Sequence, residues 1–462
     1  MAERGASPLV AAAAIALGAV ALAWVSFYNG YPLVFADTGT YLGQALQRYL
    51  GWDRPIFYSF LLYGLHWGIT LWTVPFVQGA IVAHLVWLVL RTLDAGGPVR
   101  FGATILVLAV ATGLPWFVSW IIPDVFTSVV VLALWLLAAV PERLGRVEKL
   151  YLVLLATGAI ALHQSHVPLA AGLVMVLLVS RWLLSVRRGF GVRDVAIVLA
   201  PLVLAVAALM LVNLVGHGRL SLSPFGANFL LARVIYDGPG AATLIEACPE
   251  KPWQLCAHLA DLPPASRRFP SSDHFLWQAD SPFYRMGHPR EYAAEAADIV
   301  AETLRRHGRW QFGRFVDNAI AQLKSFKTGP AMDFAPWVGT PGPQSVIEAY
   351  LPRDREAFLA ARQAMGTLDL LPPLRDLHVV VIQASAPLAL IALFLFALRG
   401  ERPGVILVLA IFAAILGNAV LSGGLSAVHD RYTARLAWLL PLAVLTCALG
   451  TRAERAPHLS RV

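Results

Sequence analysis

Long stretches without charge alternate with short polar segments along most of this chain. Nine stretches contain no Asp, Glu, Lys or Arg: 5–36, 55–90, 101–123, 125–141, 150–180, 195–218, 377–398, 403–429 and 436–451. A helix needs about 20 apolar residues to cross the hydrocarbon core, whereas the strands of a membrane barrel alternate in polarity. The pattern predicts an all-α polytopic membrane protein. It excludes a soluble enzyme, a disordered chain, a secreted disulfide scaffold and a barrel.

Two of these stretches need the flanking charges to be interpreted. Stretch 150–180 has basic residues on both sides, and basic loops remain in the cytoplasm, so it is predicted to cross twice. Stretch 55–90 is too long for one span, and we expect 56–70 to lie at the outer face. About ten spans result, with both chain ends inside and an uncleaved first span: 8–27, 73–91, 101–119, 124–140, 150–163, 167–184, 195–215, 378–398, 404–421 and 433–450.

The charges divide unevenly between the two sides of this topology. The chain has a net charge of +8. In the predicted topology the whole excess lies on inside segments, whereas the outside segments balance. This is the positive-inside bias of a membrane protein beside anionic lipid, so it does not indicate a nucleic-acid partner.

One outside segment is long enough to form a domain. Residues 217–376 have ordinary polarity, and helical spacing is visible at 291–307, 312–327 and 224–237. We expect three parts: an N-terminal transmembrane module (1–216), a periplasmic α-helical domain (217–376) and a C-terminal transmembrane module (377–462). Cys248 and Cys256 lie in the outer domain, and an oxidising compartment favours a disulfide between them, with two free thiols as the alternative.

Polar groups from four separate loops are predicted to meet at the outer face. Charge beside a span is costly to bury and is usually functional or paired, although Asp and Arg can also simply mark helix ends. The groups are Asp37, Asp53 and Arg54 in the first loop, Asp124 in the second, His163 and His166 in the third, and His429, Asp430, Arg431 and Arg435 in the last.

At these residues the chain resembles the GT-C superfamily of glycosyltransferases, which take a sugar from a polyprenyl-phosphate carrier. The resemblance rests on Asp37 followed by Tyr41, an amphipathic stretch 44–50 and Arg54-Pro55-Ile56. It continues with Asp124 and with Asp430-Arg431-Tyr432 running into Leu439-Leu440-Pro441. It departs from the family at Thr38, where many members carry Glu, and at 163–166, where many carry Lys. No resemblance covers 217–376.

The resemblance implies a GT-C-like fold and an inverting hexosyl- or pentosyltransferase. A carboxylate deprotonates the acceptor, and arginine binds phosphate through its planar fork. Asp37 is expected as the base and Asp124 as the second acid, with Mg or Mn possible between these two carboxylates. The expected substrate-binding residues are Arg431, Arg54, His429, His166, His163 and Tyr41.

The expected partners are a polyprenyl-phosphate-linked sugar donor, a lipid or envelope glycan acceptor and the membrane. The expected place is the bacterial inner membrane, with the site facing the periplasm. Three alternatives remain at this point: a lipid-linked glycan polymerase or ligase, a transporter or flippase, and an inactive scaffold of the same fold. A transporter would place polar groups near the bilayer midplane, where His66, His84, Asn213 and Asn418 are the candidates.

Overall fold

The computed structural model describes residues 7–184, 191–329, 342–368 and 372–450. This part of the chain is helical, with one isolated β-bridge. The first eleven helices are α1 (Pro8–Leu22), α2 (Trp24–Asn29), α3 (Ala36–Leu46), α4 (Phe57–His66), α5 (Thr73–Thr92), α6 (Pro98–Ala111), α7 (Leu114–Ser119), α8 (Phe126–Ala139), α9 (Arg146–Ala161), α10 (His166–Leu184) and α11 (Val192–His217).

Eleven helices follow in the rest of the described chain. They are α12 (Gly226–Asp237), α13 (Pro239–Ala247), α14 (Asp273–Trp277), α15 (Pro282–Arg285), α16 (Ala293–Lys324), α17 (Pro343–Tyr350), α18 (Arg355–Ala360), α19 (Pro372–Arg399), α20 (Arg402–Leu425), α21 (Asp430–Ala437) and α22 (Leu439–Leu449). Helices α12 to α16 are called the outer part, after the expected topology. Four short 3₁₀ turns join them at Pro123–Val125, Pro141–Arg143, Gln254–Asp261 and Pro352–Asp354.

Six helices in the described chain are long and apolar enough to cross a membrane. They are Thr73–Thr92, His166–Leu184, Val192–His217, Pro373–Arg399, Arg402–Leu425 and Asp430–Leu449. The protein is therefore an all-α membrane protein. Ten full spans are not established, because three more of the expected ones are shorter apolar helices (Pro8–Leu22, Pro98–Ala111 and Pro123–Ala139). The expected span 150–163 falls on the sixteen-residue α9, which ends at Ala161.

Local backbone geometry explains two of these shortenings. Helix α6 stops at Ala111 because Thr112 is extended, and Pro115 then opens the short α7. Helix α1 stops at Leu22 because Ala23 leaves helical geometry, with φ −87° and ψ 7°, and α2 begins at Trp24. A count of apolar residues does not detect such breaks, because the residues on both sides of a break are equally apolar.

Helix α8 occupies the centre of the main hydrophobic core. Its residues from Phe126 to Ala138 are all buried. Helices α9, α10, α20 and α5 pack around it. The short turn Pro123–Val125 directly precedes α8, so the central helix carries Asp124 at one of its ends.

The outer part has a second, smaller core. It is formed by apolar residues of α12 to α16 and the intervening turn, including Leu231, Leu255, Phe275 and Ile299. The structure joins Cys248 to Cys256 in a disulfide, with 5.5 Å between their Cα atoms. The two helices expected at 291–307 and 312–327 are one helix, α16, with a kink at His307.

Residues 343–368 pack in the main core, although the sequence grouped them with the outer domain. Ile347, Leu351 and Phe358 are buried there. The buried carboxylate of Asp354 accepts hydrogen bonds from the Tyr31 hydroxyl at 2.7 Å and from a backbone N–H at 2.8 Å. This segment therefore supports the first outer loop from one side.

Candidate functional site

The first and second outer loops are joined backbone to backbone. Leu33 and Trp120 form a parallel bridge in which Leu33 N–H donates to the Ser119 carbonyl at 2.9 Å and Ile121 N–H donates to the Leu33 carbonyl at 2.8 Å. The Trp120 indole N–H donates to the Val34 carbonyl at 3.1 Å. The loops that carry Asp37 and Asp124 therefore form one structural unit.

Thr38 strengthens this connection. Its fully buried hydroxyl accepts a hydrogen bond from Phe35 N–H at 2.9 Å and donates one to the Ile121 carbonyl at 2.9 Å. Helix α3 begins at this point, so Asp37 lies in its first turn. A negative charge is stabilised there by the helix dipole.

Asp37, Asp53 and Arg54 form the first charged cluster. Arg54 Nη2 lies 2.8 Å from Asp37 Oδ1, and Arg54 Nη1 lies 3.8 Å from Asp53 Oδ2. The guanidinium carbon lies 5.2 Å from the ring centre of Trp277, which α14 supplies from the outer part. Burial raises the pKa of Asp53 against the opposing effect of Arg54. Asp53 therefore takes up a proton more readily than an ordinary aspartate.

Tyr41 lies between the two charged clusters. Its side chain is buried, its ring packs edge-on against Tyr58, and within the described chain its hydroxyl has no hydrogen-bond partner. Burial raises its pKa, and the charges of Arg54, Asp37 and Asp124 also act on it. Buried hydroxyls are normally hydrogen-bonded, so the unpaired Tyr41 hydroxyl is an exception beside the two clusters.

Asp124 and Arg435 form the second cluster. Arg435 Nη1 lies 2.8 Å from Asp124 Oδ1, and their side chains are only 1% and 4% exposed, respectively. Arg435 Nη2 donates to Asn418 Oδ1 at 2.7 Å. The second carboxylate oxygen of Asp124 is buried and has no hydrogen-bond partner in the described chain.

Arg431 is surrounded by aromatic rings. Its guanidinium carbon lies 4.5 Å from the ring centre of Phe35, 4.9 Å from Tyr432 and 5.9 Å from Trp120. No carboxylate of the described chain lies within 4.0 Å of it. It nevertheless interacts electrostatically with Asp124 and Asp37, which brings all three predicted site residues into one electrostatic unit.

Gln322 fixes the loop that carries Arg431. Its side-chain amide accepts from His429 N–H at 2.9 Å, and it donates to the His429 carbonyl at 2.8 Å and to the Thr433 hydroxyl at 2.9 Å. Gln322 lies in the last turn of α16. The outer part of the protein therefore helps to position Arg431.

The predicted histidines differ in their surroundings. Both ring nitrogens of His166 are bonded inside the protein, to the Thr127 hydroxyl at 2.8 Å and the Ala159 carbonyl at 2.7 Å. His166 thus packs as an internal group in this structure, without a ring nitrogen left for substrate. His163 contacts His166 ring to ring at 5.3 Å and interacts electrostatically with Arg54, Arg431 and Arg435.

His429 pairs with a residue of the outer part. Its Nε2 lies 3.1 Å from Asp273 Oδ2, at the start of α14. Although burial by itself would raise the pKa of Asp273, its contacts with His429 and the charge of Arg431 lower the pKa below its usual value. Helix α14 therefore reaches both ends of the site, with Trp277 beside Arg54 and Asp273 beside His429.

The two carboxylates considered for a divalent ion already have cationic partners. Asp37 is bonded to Arg54 and Asp124 to Arg435. In the described chain no group of three or more His, Cys, Asp or Glu side chains is placed to hold a metal. Both carboxylates are thus already paired with arginine, and the mechanism proposed below has no step through a metal.

Several residues of the site were not given a role from the sequence. Asp53 and Arg435 stood in the predicted loops without one, and Asn418 was considered only for a transporter. Asp273 and Trp277 lie far along the chain from their partners. The sequence could have indicated a role for Arg435 through its four-residue spacing from Arg431. In α21 this spacing places both arginines on the same side of the helix.

A groove lies between α3, α4 and α11, next to the first cluster. Its open part has a volume of about 580 Å³ and is lined mainly by apolar side chains, with Arg48 among them. Leu50, Ile56 and Val212 also line a small adjoining cavity that reaches Arg54. The charged cluster therefore has an apolar approach on one side.

Comparison with known proteins identifies no family for this chain, since no family model, no curated protein and no solved structure matches it.

Proposed function

We propose that this protein is a membrane glycosyltransferase that moves a hexose or pentose from a polyprenyl-phosphate carrier to an acceptor hydroxyl on a lipid or envelope glycan. The proposed place is the periplasmic face of a bacterial inner membrane. The observation that carries the proposal is the setting of Arg431. Three aromatic rings enclose this partly buried cation, and it interacts electrostatically with both Asp37 and Asp124. Such a cation suits a phosphate, which arginine binds bidentately.

Two arginines divide the binding of the carrier phosphate in this proposal. Arg431 has aromatic neighbours rather than an acid, so the phosphate binds it first. Arg54 is held by Asp37 at 2.8 Å before the substrate arrives. The phosphate then competes with Asp37 for Arg54, and the loss of Arg54 leaves Asp37 free to act as a base.

The transfer step needs one proton acceptor and one phosphate clamp. The acceptor oxygen forms a bond to the anomeric carbon while Asp37 takes the hydroxyl proton. The bond between the anomeric carbon and the phosphate oxygen breaks, and its electron pair leaves with polyprenyl phosphate. Attack opposite to the leaving phosphate inverts the anomeric centre. Arg431 and Arg54 stabilise the phosphate charge, and Tyr41 can donate its free hydroxyl to the same oxygens.

The groove beside Arg54 supports a lipid-linked substrate. A polyprenyl chain is apolar, and the groove between α3, α4 and α11 offers an apolar surface from the lipid side to the first charged cluster. A phosphate at Arg54 and a hydrocarbon chain in the groove can thus belong to one molecule. A water-soluble nucleotide sugar would have no use for this surface.

The first test measures binding of the carrier without its sugar. The protein in lipid nanodiscs is titrated with a long-chain polyprenyl phosphate and with the matching polyprenol. We expect binding to require the phosphate and to weaken about ten- to a hundredfold in Arg431→Gln, which corresponds to the loss of charge-assisted hydrogen bonds. Arg143→Gln, at the other end of the bundle, is the matched control. Equal binding of phosphate and alcohol would contradict the proposal.

The second test separates binding from chemistry. Bacterial lipid extract containing radiolabelled polyprenyl-phosphate sugars serves as donor, with envelope extract as acceptor. Asp37→Asn should reduce transfer by about 10² to 10⁴, the usual contribution of a general base. The same variant should bind polyprenyl phosphate at least as tightly, because a competitor for Arg54 is gone. Asp94→Asn is the control. Unchanged transfer in Asp37→Asn would remove Asp37 from the mechanism.

A further inference from the structure

Helix α16 has two halves with different surroundings. Its backbone leaves helical geometry at His307, with φ −124° and ψ 26°. Before this kink, Ala296 and Ile299 are buried in the outer-part core. After it, the helix packs against α20, which is one of the six candidate membrane-spanning helices.

The second half of α16 lies unusually close to α20. A Cβ atom at Gly423 would come within 2.6 Å of the Asn318 carbonyl oxygen, and one at Gly424 would overlap the Phe315 ring. Helices approach this closely only where side chains are missing at the contact. The outer end of α20 and the second half of α16 therefore form a tightly packed pair.

A neighbouring face of this half carries an apolar stripe, whose first residue, Phe312, stacks on Phe315. Phe312 is 67% exposed, Val316 38% and Ile320 47%, and their four-residue spacing places them on one side of the helix. In water this arrangement would be unfavourable, because each square ångström of apolar surface costs about 25 cal/mol to hydrate. Continuous exposed apolar surface on a protein marks a contact with a partner or a membrane.

We propose that the second half of α16 lies in the outer leaflet of the membrane, with Phe312, Val316 and Ile320 in contact with lipid. Continuity with α20 identifies lipid as the occupant, since the stripe runs beside the end of a candidate spanning helix. Leu416 and Leu425 of α20 are also apolar and exposed.

The polar residues around the stripe fit a membrane interface. Arg309 and Lys324 lie at its two ends, and both are exposed. Trp310 is exposed beside it. Helices that lie in the interface combine an apolar face with basic residues, and tryptophan is enriched at this depth.

This placement gives α16 a role at the candidate site. The last turn of the lipid-contacting half presents Gln322, which holds His429 and Thr433 on either side of Arg431. Lipid contact along the stripe fixes the depth of Gln322 and therefore the depth of Arg431. The inference depends on the membrane assignment and not on glycosyl transfer, so either proposal can fail without the other.

The test places one cysteine at each of positions 312, 316 and 320, with Leu304→Cys as the matched control. Leu304 is exposed on the first half of α16, about 12 Å before Phe312 at 1.5 Å per residue. Each variant is made in a Cys447→Ala background, labelled with an environment-sensitive fluorophore and reconstituted in phosphatidylethanolamine–phosphatidylglycerol vesicles with and without brominated lipid.

We expect blue-shifted emission and at least twofold quenching by brominated lipid at 312, 316 and 320, with neither effect at 304. Quenching no greater than at 304 would overturn the proposal. A blue shift without quenching would also overturn it, because protein would then cover the stripe. Lipid-soluble carbene labelling of the unsubstituted protein repeats the test without any variant. It should modify the peptide 308–324 and leave 293–306 unmodified.

Discussion

The two ends of the helical bundle carry ion pairs of the same kind in opposite surroundings. At one end the pairs are partly or largely exposed: Arg91 with Glu148, Arg143 with Asp94, and Arg181 with Glu142. At the other end Arg54 with Asp37, and Arg435 with Asp124, are mostly or wholly withdrawn from solvent. Exposed pairs contribute little to folding, whereas buried ones are costly to form and to break. The proposed site lies at the second end, where charges are kept buried despite this cost.

The largest expected difference between the two ends is in their accessibility, because we expect them to lie on opposite sides of the membrane. Asp94→Cys tests the first end and Asp280→Cys, on the exposed surface of the outer part, tests the second. A membrane-impermeant maleimide should label the 280 variant in intact bacterial cells and the 94 variant only after permeabilisation. Labelling of residue 94 alone in intact cells would reverse the topology and leave the candidate site facing the cytoplasm.

The next largest effect concerns the buried pair. Asp124→Asn leaves Arg435 as an uncompensated buried charge, so we expect a loss of about 3–5 kcal/mol in the free energy of unfolding. Unfolding in mixed detergent micelles, followed by tryptophan fluorescence, measures it. Glu148→Gln, which breaks the Arg91 pair at the other end, should lose about 0–1 kcal/mol.

A double variant distinguishes charge from packing at the same place. Asp124→Leu with Arg435→Met removes both charges, and we expect it to recover most of the stability lost in Asp124→Asn, because a buried pair can be replaced by apolar groups at little cost. A double variant as unstable as the single one would mean that the pair stabilises the fold beyond compensating its own charges.

The smallest expected effect separates the two carboxylates around Arg54. The pKa of Asp53 is raised in the folded protein, so the folded state binds its proton more tightly than the unfolded state. Its contribution to stability must then increase as the pH falls from above the folded pKa towards the unfolded value of about 3.9. Unfolding measured between about pH 7 and pH 4 should show the parent protein gaining stability relative to Asp53→Asn as the pH falls. The same change of stability with pH in both proteins would mean that a group other than Asp53 takes up the proton.

Much of the fold follows from charge placement alone. Excluding Lys, Arg, Asp and Glu from the hydrocarbon core is a strong constraint, so the charge-free stretches correspond to helices such as α5, α11 and α20. Helix ends and breaks depend on local backbone geometry, as at Thr112, and composition does not record it. The continuity of α16 through His307 was missed for the same reason.

The sequence allowed a prediction of which loops share one face, but not of which side chains pair there. Topology brought Asp37, Asp124 and Arg431 to one face, because alternate loops of a bundle share a side. The pairing of Asp124 with Arg435 joins residues 311 positions apart, and the contact of Arg54 with Trp277 crosses into the outer part. Such contacts depend on tertiary packing, and no local pattern predicts them.

The role of Thr38 can be seen only in the structure. The sequence shows Thr38 where a second acid would be expected. In the structure its hydroxyl joins the first outer loop to the second at Ile121. A glutamate there would bring a buried charge into this junction.

The packing of α16 on α20 has a consequence for the order in which the protein is made. The last residue of α16 leaves the ribosome about 80 residues before the first residue of α20. At about 5–20 residues per second, this interval lasts about 4 to 16 s. Throughout it, Phe315 and Asn318 lack their contacts with Gly423 and Gly424 of α20, so this side of α16 is uncovered. Completion of the outer part therefore waits for a later event, the insertion of α20 by the translocation machinery.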